Sequence, residues 1–240
     1  MKEEPCTMIK IESSELEAAV LDSTSCIALP IELHVNARGE CEIITYSFTE
    51  SIAREFEENY SDAPFSDSAR AFLMEKLTPI MLPLGYDTDG ACGRMQLDYR
   101  CDSPAKEKIL PECEIISTLD GEKWGDIPLD EFILDPSDPC DRMAVIRDGG
   151  NIVCFAGVND ISEGDGLIEI TVECEKEYRN RGYGASCVAK LSEYLIDAGE
   201  RVKYVCSDKN TASIRTALSA GFRLHDTCLP FVCYKTEEQE

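Results

Sequence analysis

The sequence predicts an α/β (α+β) fold in two parts, an N-terminal α+β domain over residues 1–105 and a second α/β domain over 106–240. Three observations carry this expectation. Alternating, β-branched runs such as Ile31 to Ala37 and Leu167 to Cys174 are interleaved with stretches whose apolar residues recur at helical spacing. Asp102-Ser103-Pro104 and Pro111 interrupt the pattern over 101–112 and read as a linker. A chain of 240 residues with 43% apolar content is long enough and apolar enough for two small globular domains or one large one.

Taken in order, the first 25 residues have no clear period. Ile31 to Ala37 and Cys41 to Phe48 form two strands around an Asn36-Ala37-Arg38-Gly39 turn. Thr49 is placed to cap a helix running to about Tyr60, and Asp67 or Ser68 to cap a second helix with apolar Ala71, Phe72, Leu73, Leu77 and Ile80. Pro83 and Gly85 end that helix, and Arg94 to Tyr99 alternates as a strand. The second part opens with a strand from Glu114 to Leu119, then a weak segment with Trp124, Pro128 and a short helix near Leu129 to Ile133. Trp124 is expected to pack at the domain junction. Met143 to Arg147 and Ile152 to Val158 make a hairpin over Gly149-Gly150, and Leu167 to Cys174 is the next strand. A helix from about Gly184 to Ala198 carries Val188, Leu191, Leu195 and Ala198 on one stripe and stops at Gly199. Strand Val202 to Cys206, helix Thr211 to Ala220 and strands near Phe222 to Leu224 and Phe231 to Tyr234 close the chain, and Glu237 to Glu240 reads as a solvated tail.

Lys and Arg total 23 against 47 Asp and Glu, a net charge of −24. Phosphate backbones and anionic lipid need basic patches, so neither nucleic acid nor a membrane surface is an expected partner. The acidity favours a cationic or amine-bearing small partner, or serves only solubility. Thirteen cysteines, an odd number, stand in a chain with no apolar leader after Met1-Lys2-Glu3-Glu4-Pro5 and no run near the ~18 apolar residues of a membrane helix. Several, such as Cys154 and Cys206, sit in strand-like runs and read as small buried hydrophobes in a reducing cytoplasm. There is no C-x-x-C pair, and the histidines are His34 and His225, so no structural zinc site is expected. His225, at a strand end, reads as a surface or structural residue and not a catalytic one.

The chemistry concentrates in one stretch. The strand Ile168 to Cys174 runs through Glu175-Lys176-Glu177-Tyr178 into Arg179-Asn180-Arg181-Gly182-Tyr183-Gly184-Ala185, which opens a helix. The first N–H groups of a helix lack internal partners and lie at the positive end of its dipole, so they suit a pyrophosphate. Gly182 and Gly184 admit close approach and positive φ, and Arg179 and Arg181 reverse the local charge of an acidic chain. The competing reading of the glycines is an ordinary flexible turn.

This stretch resembles motif A of the GNAT acyltransferase superfamily, Arg/Gln-x-x-Gly-x-Gly/Ala, in Arg179-Asn180-Arg181-Gly182-Tyr183-Gly184. Downstream, Asn210-Thr211-Ala212-Ser213 and Gly221-Phe222 are similar to the family's motif B, and the resemblance spans roughly 113–235. Ile168-Glu169-Ile170, Tyr178-Arg179 and Asn210-x-x-Ser213 look most like a bacterial branch related to antibiotic-biosynthesis acetyltransferases. The resemblance implies the GNAT acyl-CoA-binding fold, a mixed central sheet flanked by helices. It also implies acetyl-CoA as co-substrate and transfer to the amine of a small acceptor, by a monomer or homodimer.

By that resemblance the cofactor enters a V-shaped opening between the family's fourth strand, here Leu167 to Cys174, and its fifth, Val202 to Cys206. Backbone near Val172 and Cys174 pairs with the pantetheine, and an N–H near Cys174 polarises the thioester carbonyl. Arg181, Gly182, Gly184 and Ala185 hold the pyrophosphate, with Arg179 and Tyr183 in the same motif. Asn210, with Ser213 three residues on, contacts the cofactor arm or ties the fifth strand to the next helix. Alternation sets Glu169, Thr171 and Glu173 on one strand face. Glu173 is the first candidate for the base that takes the amine proton, with a raised pKa if partly buried, and Glu169 the second. Either carboxylate could instead be a solvated or charge-paired strand residue. The tyrosine that many members carry seven residues after the motif B Asn is Ala217 here, which leaves the general acid unassigned. Cys174 as an acyl-accepting nucleophile is a weaker alternative, because no histidine lies near it in sequence. A chain with this site could also bind acyl-CoA without transferring the acyl group. The N-terminal domain is expected to lend one wall of the acceptor site.

Overall fold

A computed structural model describes residues 7–11, 15–116, 142–161 and 166–236. The chain runs β1 (Thr7–Ile11), α1 (Glu15–Leu21), β2 (Ile27–Ala28), β3 (Ile31–Asn36), β4 (Cys41–Thr45), α2 (Glu50–Tyr60), α3 (Asp67–Met81), β5 (Tyr86–Asp87) and β6 (Gln96–Cys101). It continues β7 (Glu114–Ile116), β8 (Met143–Asp148), β9 (Asn151–Ile161), β10 (Leu167–Cys174), α4 (Tyr183–Asp197), β11 (Arg201–Ser207), α5 (Thr211–Ser219), β12 (Arg223–Pro230) and β13 (Cys233–Lys235). The segment holding Trp124 and Leu129 to Ile133, the end of the strand expected from Glu114, and the acidic tail lie outside the described residues. Among the described residues no helix is long and apolar enough to cross a membrane.

The contacts divide the chain into two compact units, 1–97 with 225–240, and 98–224. The linker residues 101–112 predict a single boundary near 105. The division differs because the closing strands pair with the N-terminal ones, which returns residues 225–240 to the first unit.

In the first unit β3 and β4 form the expected hairpin, β1 joins β4 in parallel, and residues 226–230 of β12 pair antiparallel with β3. β13 sits between β2 and β5 in a small antiparallel sheet. Ile31, Leu33 and Ile43 turn one strand face into a core shared with Phe56 of α2 and Leu73, Leu77 and Met81 of α3. Capping differs in detail from expectation. Thr49 stands at the α2 N-cap, but its hydroxyl donates to the Pro30 carbonyl at 2.9 Å instead of accepting from the helix. Ser66, not Asp67 or Ser68, caps α3, its oxygen accepting from the Ala69 N–H at 3.2 Å.

The second unit is α/β, and its sheet is mixed, in the order β6-β11-β10-β9-β8-β7. β10 and β11 are parallel, whereas β7 to β10 form an antiparallel meander. α4 covers β8, β9 and β10 with a buried face of Cys187, Val188, Leu191 and Leu195. The small Ser186 and Ser192 also lie buried there; Ser186 accepts from the Leu110 N–H at 2.9 Å, and Ser192 donates to the Val188 carbonyl at 2.7 Å.

Candidate functional site

β10 and β11 are hydrogen-bonded neighbours only from Leu167 to Glu169 against Arg201 to Lys203. Beyond that point they diverge, while β10 stays in register with β9 as far as Cys174. The Glu175 N–H donates to Val153 at 2.9 Å, so odd-numbered residues of this stretch bond to β9. Ladder alternation therefore turns the peptide groups of Val172 and Cys174 toward the gap between β10 and β11. The gap opens into a cleft of about 570 Å³. Its walls are the end of β10, the turn after it, the first turn of α4, Tyr204 of β11 and the outer face of α5.

The turn is built to expose a helix start. Asn180 and Gly182 adopt left-handed φ of +63° and +84°. Gly182 is the α4 N-cap, and no side chain caps the helix. The first intrahelical bond runs from Ser186 N–H to the Gly182 carbonyl at 3.0 Å. The N–H groups of Tyr183, Gly184 and Ala185 thus have no intrahelical partner by position, and all three residues line the cleft. Of the two motif glycines, Gly182 uses the positive φ that glycine admits and Gly184 does not. A methyl there would stand 3.6 Å from Thr216 and Val172, ordinary contact, so it is the close packing of the helix start against β10 and α5 that favours a small residue.

The cleft collects Val172, Glu173, Cys174, Arg179, Gly182, Tyr183, Gly184, Ala185, Asn210 and Ser213. Glu169 and Arg181 are not among its lining residues. Glu169 lies where β10 is still paired and faces the Lys203 ammonium at 3.6 Å. Arg181 donates to the Glu177 carbonyl at 3.0 Å and covers the Tyr178 ring at 4.9 Å. Glu173 does not sit in apolar surroundings. Its carboxylate accepts from Arg179 at 2.8 Å and from the Cys174 N–H at 3.2 Å, while Arg179 Nε also donates to the Cys174 carbonyl at 2.9 Å. The base candidate, the motif arginine Arg179 and the candidate oxyanion donor are therefore bonded to one another.

On the opposite wall Asn210 caps α5, its side-chain oxygen accepting from Ser213 N–H at 3.1 Å. Ser213 shares a 2.6 Å hydrogen bond with the Tyr204 hydroxyl. Burial pushes Tyr204 up to about 12, with the Ser213 bond pulling the other way. Sequence reasoning passed over Tyr204 as a plain strand residue; the signal was its place on the buried face of the strand just before motif B. Ala217 is fully buried. Cys174 of β10 lies directly opposite Cys154 of β9. A hydrogen bond with Cys154, and then burial, raise the Cys174 thiol above its ordinary value, which disfavours a thiolate at this position.

Residues 108–222 match the model of the Acetyltransferase (GNAT) family, and this part of the chain belongs to that family. Several solved structures are similar. A GNAT-family protein from Novosphingobium aromaticivorans DSM 12444 aligns over 60% of this chain and 66% of its own, with 19% identity and a TM-score of 0.44. A GCN5-related N-acetyltransferase from Sphaerobacter thermophilus aligns over 70% and 56%, with 18% identity and a TM-score of 0.44. The structure of yncA from Salmonella typhimurium with its cofactor acetyl-CoA aligns over 41% and 66%, with 21% identity and a TM-score of 0.32. This chain spans less than two thirds of the length of each of the three. No curated protein matches it in sequence.

Proposed function

We propose that the second unit is an acyl-CoA-dependent N-acyltransferase that moves an acetyl group from acetyl-CoA to the amine of a small acceptor by direct transfer. The observation that carries this reading is the parting of β10 and β11 after Glu169 and Lys203, beside a helix start with free N–H groups. The pyrophosphate is held by the N–H groups of Tyr183, Gly184 and Ala185 under the positive end of α4. The pantetheine lies along the free edge of β10 and bonds to the peptide groups of Val172 and Cys174.

The amine nitrogen attacks the thioester carbonyl, its proton passes to a base, and the carbon–sulfur bond breaks to leave a CoA thiolate. Glu173 is the base, reached directly or through a water. For it to act, the Arg179 contact has to loosen, and an incoming phosphate offers Arg179 a competing anion. The Cys174 N–H then becomes available to the developing oxyanion. Tyr204 supplies the hydroxyl for the thiolate in place of the tyrosine absent at Ala217. With a pKa near 12 it serves as a hydrogen-bond donor more than as a proton source.

Two observations favour a second reading, acyl-CoA binding without turnover: Ala217, and the mutual pairing of Glu173 and Arg179. Calorimetric titration with acetyl-CoA and with CoA, followed by CoA-release assays over a panel of primary amines and polyamines, separates the two. Tight binding with turnover on at least one amine supports transfer. Tight binding with none supports the second reading, and no binding of either cofactor overturns both.

A further inference from the structure

The first unit holds a cluster that the cleft does not use. In the β3–β12 ladder His34 stands directly opposite Cys228 and Asn36 opposite Asp226. Glu32 and His34 are two residues apart on β3, as Asp226 and Cys228 are on β12, so all four side chains share one sheet face, away from core-facing Leu33 and Leu229. His34 Nε2 lies 3.6 Å from Cys228 Sγ and 3.8 Å from Glu32 Oε2. The donor atoms of Glu32, His34 and Cys228 all fall within 4.8 Å of one another. His34 Nδ1 is 3.0 Å from Asp226 Oδ2.

These spacings approach those of a tetrahedral coordination sphere. Zinc bonds of ordinary length set a sulfur–nitrogen edge of about 3.5 Å and a nitrogen–oxygen edge of about 3.3 Å. The sulfur–nitrogen separation already matches, and the nitrogen–oxygen one closes with a small rotation of Glu32. A carboxylate on the far ring nitrogen is the usual orienting partner of a metal-binding histidine. The other Asp226 oxygen, Oδ1, is buried with no hydrogen-bond partner, an unsatisfied anionic atom at the same spot. A thiolate and an imidazole beside one carboxylate select zinc or cobalt over calcium or magnesium, which take oxygen ligands.

We propose that Glu32, His34 and Cys228 bind one divalent ion of the zinc class, with Asp226 orienting His34 and a fourth position left to water or an exogenous ligand. On binding, Cys228 loses its thiol proton to solvent as the sulfur–metal bond forms. His34 binds through the Nε2 lone pair and keeps the Nδ1 proton toward Asp226. The low count of histidines and the absence of C-x-x-C hid the site, because its members meet only through pairing of the chain's two ends. All four residues lie in the first unit, so the proposal stands or falls apart from the acyl-CoA reading.

The test is titration of the chelator-treated, reduced full-length protein with Co²⁺, then displacement by Zn²⁺. The expected result is one equivalent of cobalt, a sulfur-to-cobalt charge-transfer band in the near ultraviolet and strong tetrahedral ligand-field bands in the visible. Cys228→Ser should abolish the charge-transfer band. Asp226→Asn should keep it and weaken zinc binding about 10–100-fold. Should Cys228→Ser not fold, Glu32→Gln is the second variant and should weaken cobalt binding while keeping the sulfur band. A sulfur band that survives in Cys228→Ser overturns the proposal. So does wild-type protein that takes up no cobalt, which leaves His34 as a cation paired with its carboxylates. Stoichiometric alkylation of Cys228 by iodoacetamide, undiminished by zinc, also overturns it and points to a Cys228–His34–Asp226 nucleophile instead.

Discussion

Gly182 and Gly221 both adopt positive φ, +84° and +101°, yet alanine should act oppositely at the two positions. At Gly221 a Cβ would stand 2.8 Å from the Ala105 nitrogen and 3.0 Å from the Ser103 carbonyl oxygen. Those backbone atoms are held in place by the 2.9 Å bond from Ala105 N–H to the Ala220 carbonyl. The conformation costs a non-glycine residue about 1–3 kcal/mol, and forcing the 103–105 backbone aside costs about as much again. Gly221→Ala should therefore lose about 3 kcal/mol or more, which lowers Tm by roughly 6–12 °C. At Gly182 a Cβ meets nothing within 4 Å, so only the left-handed strain of about 1–2 kcal/mol remains. That empty space is where the proposed pyrophosphate lies. A methyl group there should push the phosphate off the helix N–H groups, and losing one charge-assisted bond of about 1.5–3 kcal/mol weakens acetyl-CoA about tenfold or more. The assays are scanning calorimetry without ligand and titration calorimetry with acetyl-CoA. The expected pattern differs: Gly221→Ala melts earliest and binds normally when folded, whereas Gly182→Ala loses only about 2–8 °C in Tm and binds poorly. Unchanged acetyl-CoA affinity in Gly182→Ala refutes the placement of the pyrophosphate, and an unshifted Tm in Gly221→Ala refutes the backbone clash.

Glu173→Gln keeps the oxygen that faces Arg179 and Cys174 but not its charge, so acetyl-CoA affinity should not fall while kcat with a responsive amine drops about 10²–10⁴-fold; a loss of only a few-fold makes the carboxylate structural. Glu169→Gln, whose partner is Lys203 outside the cleft, should change kcat little, and equal losses in the two variants would overturn the assignment of Glu173 as sole base. Tyr204→Phe should leave acetyl-CoA binding intact and lower kcat about 10–100-fold, the worth of one hydrogen bond to a developing thiolate; an unchanged kcat removes Tyr204 from the mechanism. The raised Tyr204 pKa also predicts a pH effect on stability. Burial favours the neutral phenol in the folded state, so the contribution is complete below pH 10 and is lost as pH rises toward 12. Across that window wild type should lose about 2–3 kcal/mol more than Tyr204→Phe in denaturant titrations; parallel curves for the two proteins count against a buried phenol.

What could be read in the sequence was whatever is settled by neighbours along the chain. β10 was bounded correctly at Leu167 and Cys174 because a continuous apolar alternation ends at Glu175, and the helix-opening turn was legible because its glycines and arginines are consecutive. What failed depended on distant partners. β1 and α1 lay in the stretch without a clear period, since β1 is a strand by virtue of its parallel pairing with β4. The sequence pattern puts closing strands at Phe222 to Leu224 and Phe231 to Tyr234, yet β12 runs from Arg223 to Pro230 straight through the polar His225-Asp226-Thr227. Polar residues there look like a loop from sequence alone, because the face they serve is made by Glu32 and His34, 192 positions away in the case of the His34–Asp226 bond. The cleft divides in the same manner. Its helix-start end is visible as a motif, whereas the Glu173–Arg179 pair and the Tyr204–Ser213 bond arise only once the β10 end, the turn and α5 are folded together.

That contrast bears on mechanism. Glu173 and Arg179, the proposed base and the proposed phosphate-side arginine, are in the folded unit a single ion pair that also occupies the Cys174 N–H. If an anion must first draw Arg179 away, cofactor binding and activation of Glu173 are one event. The apparent affinity for acetyl-CoA should then fall in Arg179→Gln while desulfo analogues lacking a reactive thioester bind wild type as well as acetyl-CoA does. It follows that CoA, which carries the same pyrophosphate, should release Glu173 as effectively as acetyl-CoA. Infrared difference spectroscopy of the Glu173 carboxylate on adding CoA reads this directly: a shift absent from Glu173→Gln supports the coupling, and an unperturbed band means that the base and the cofactor site act independently.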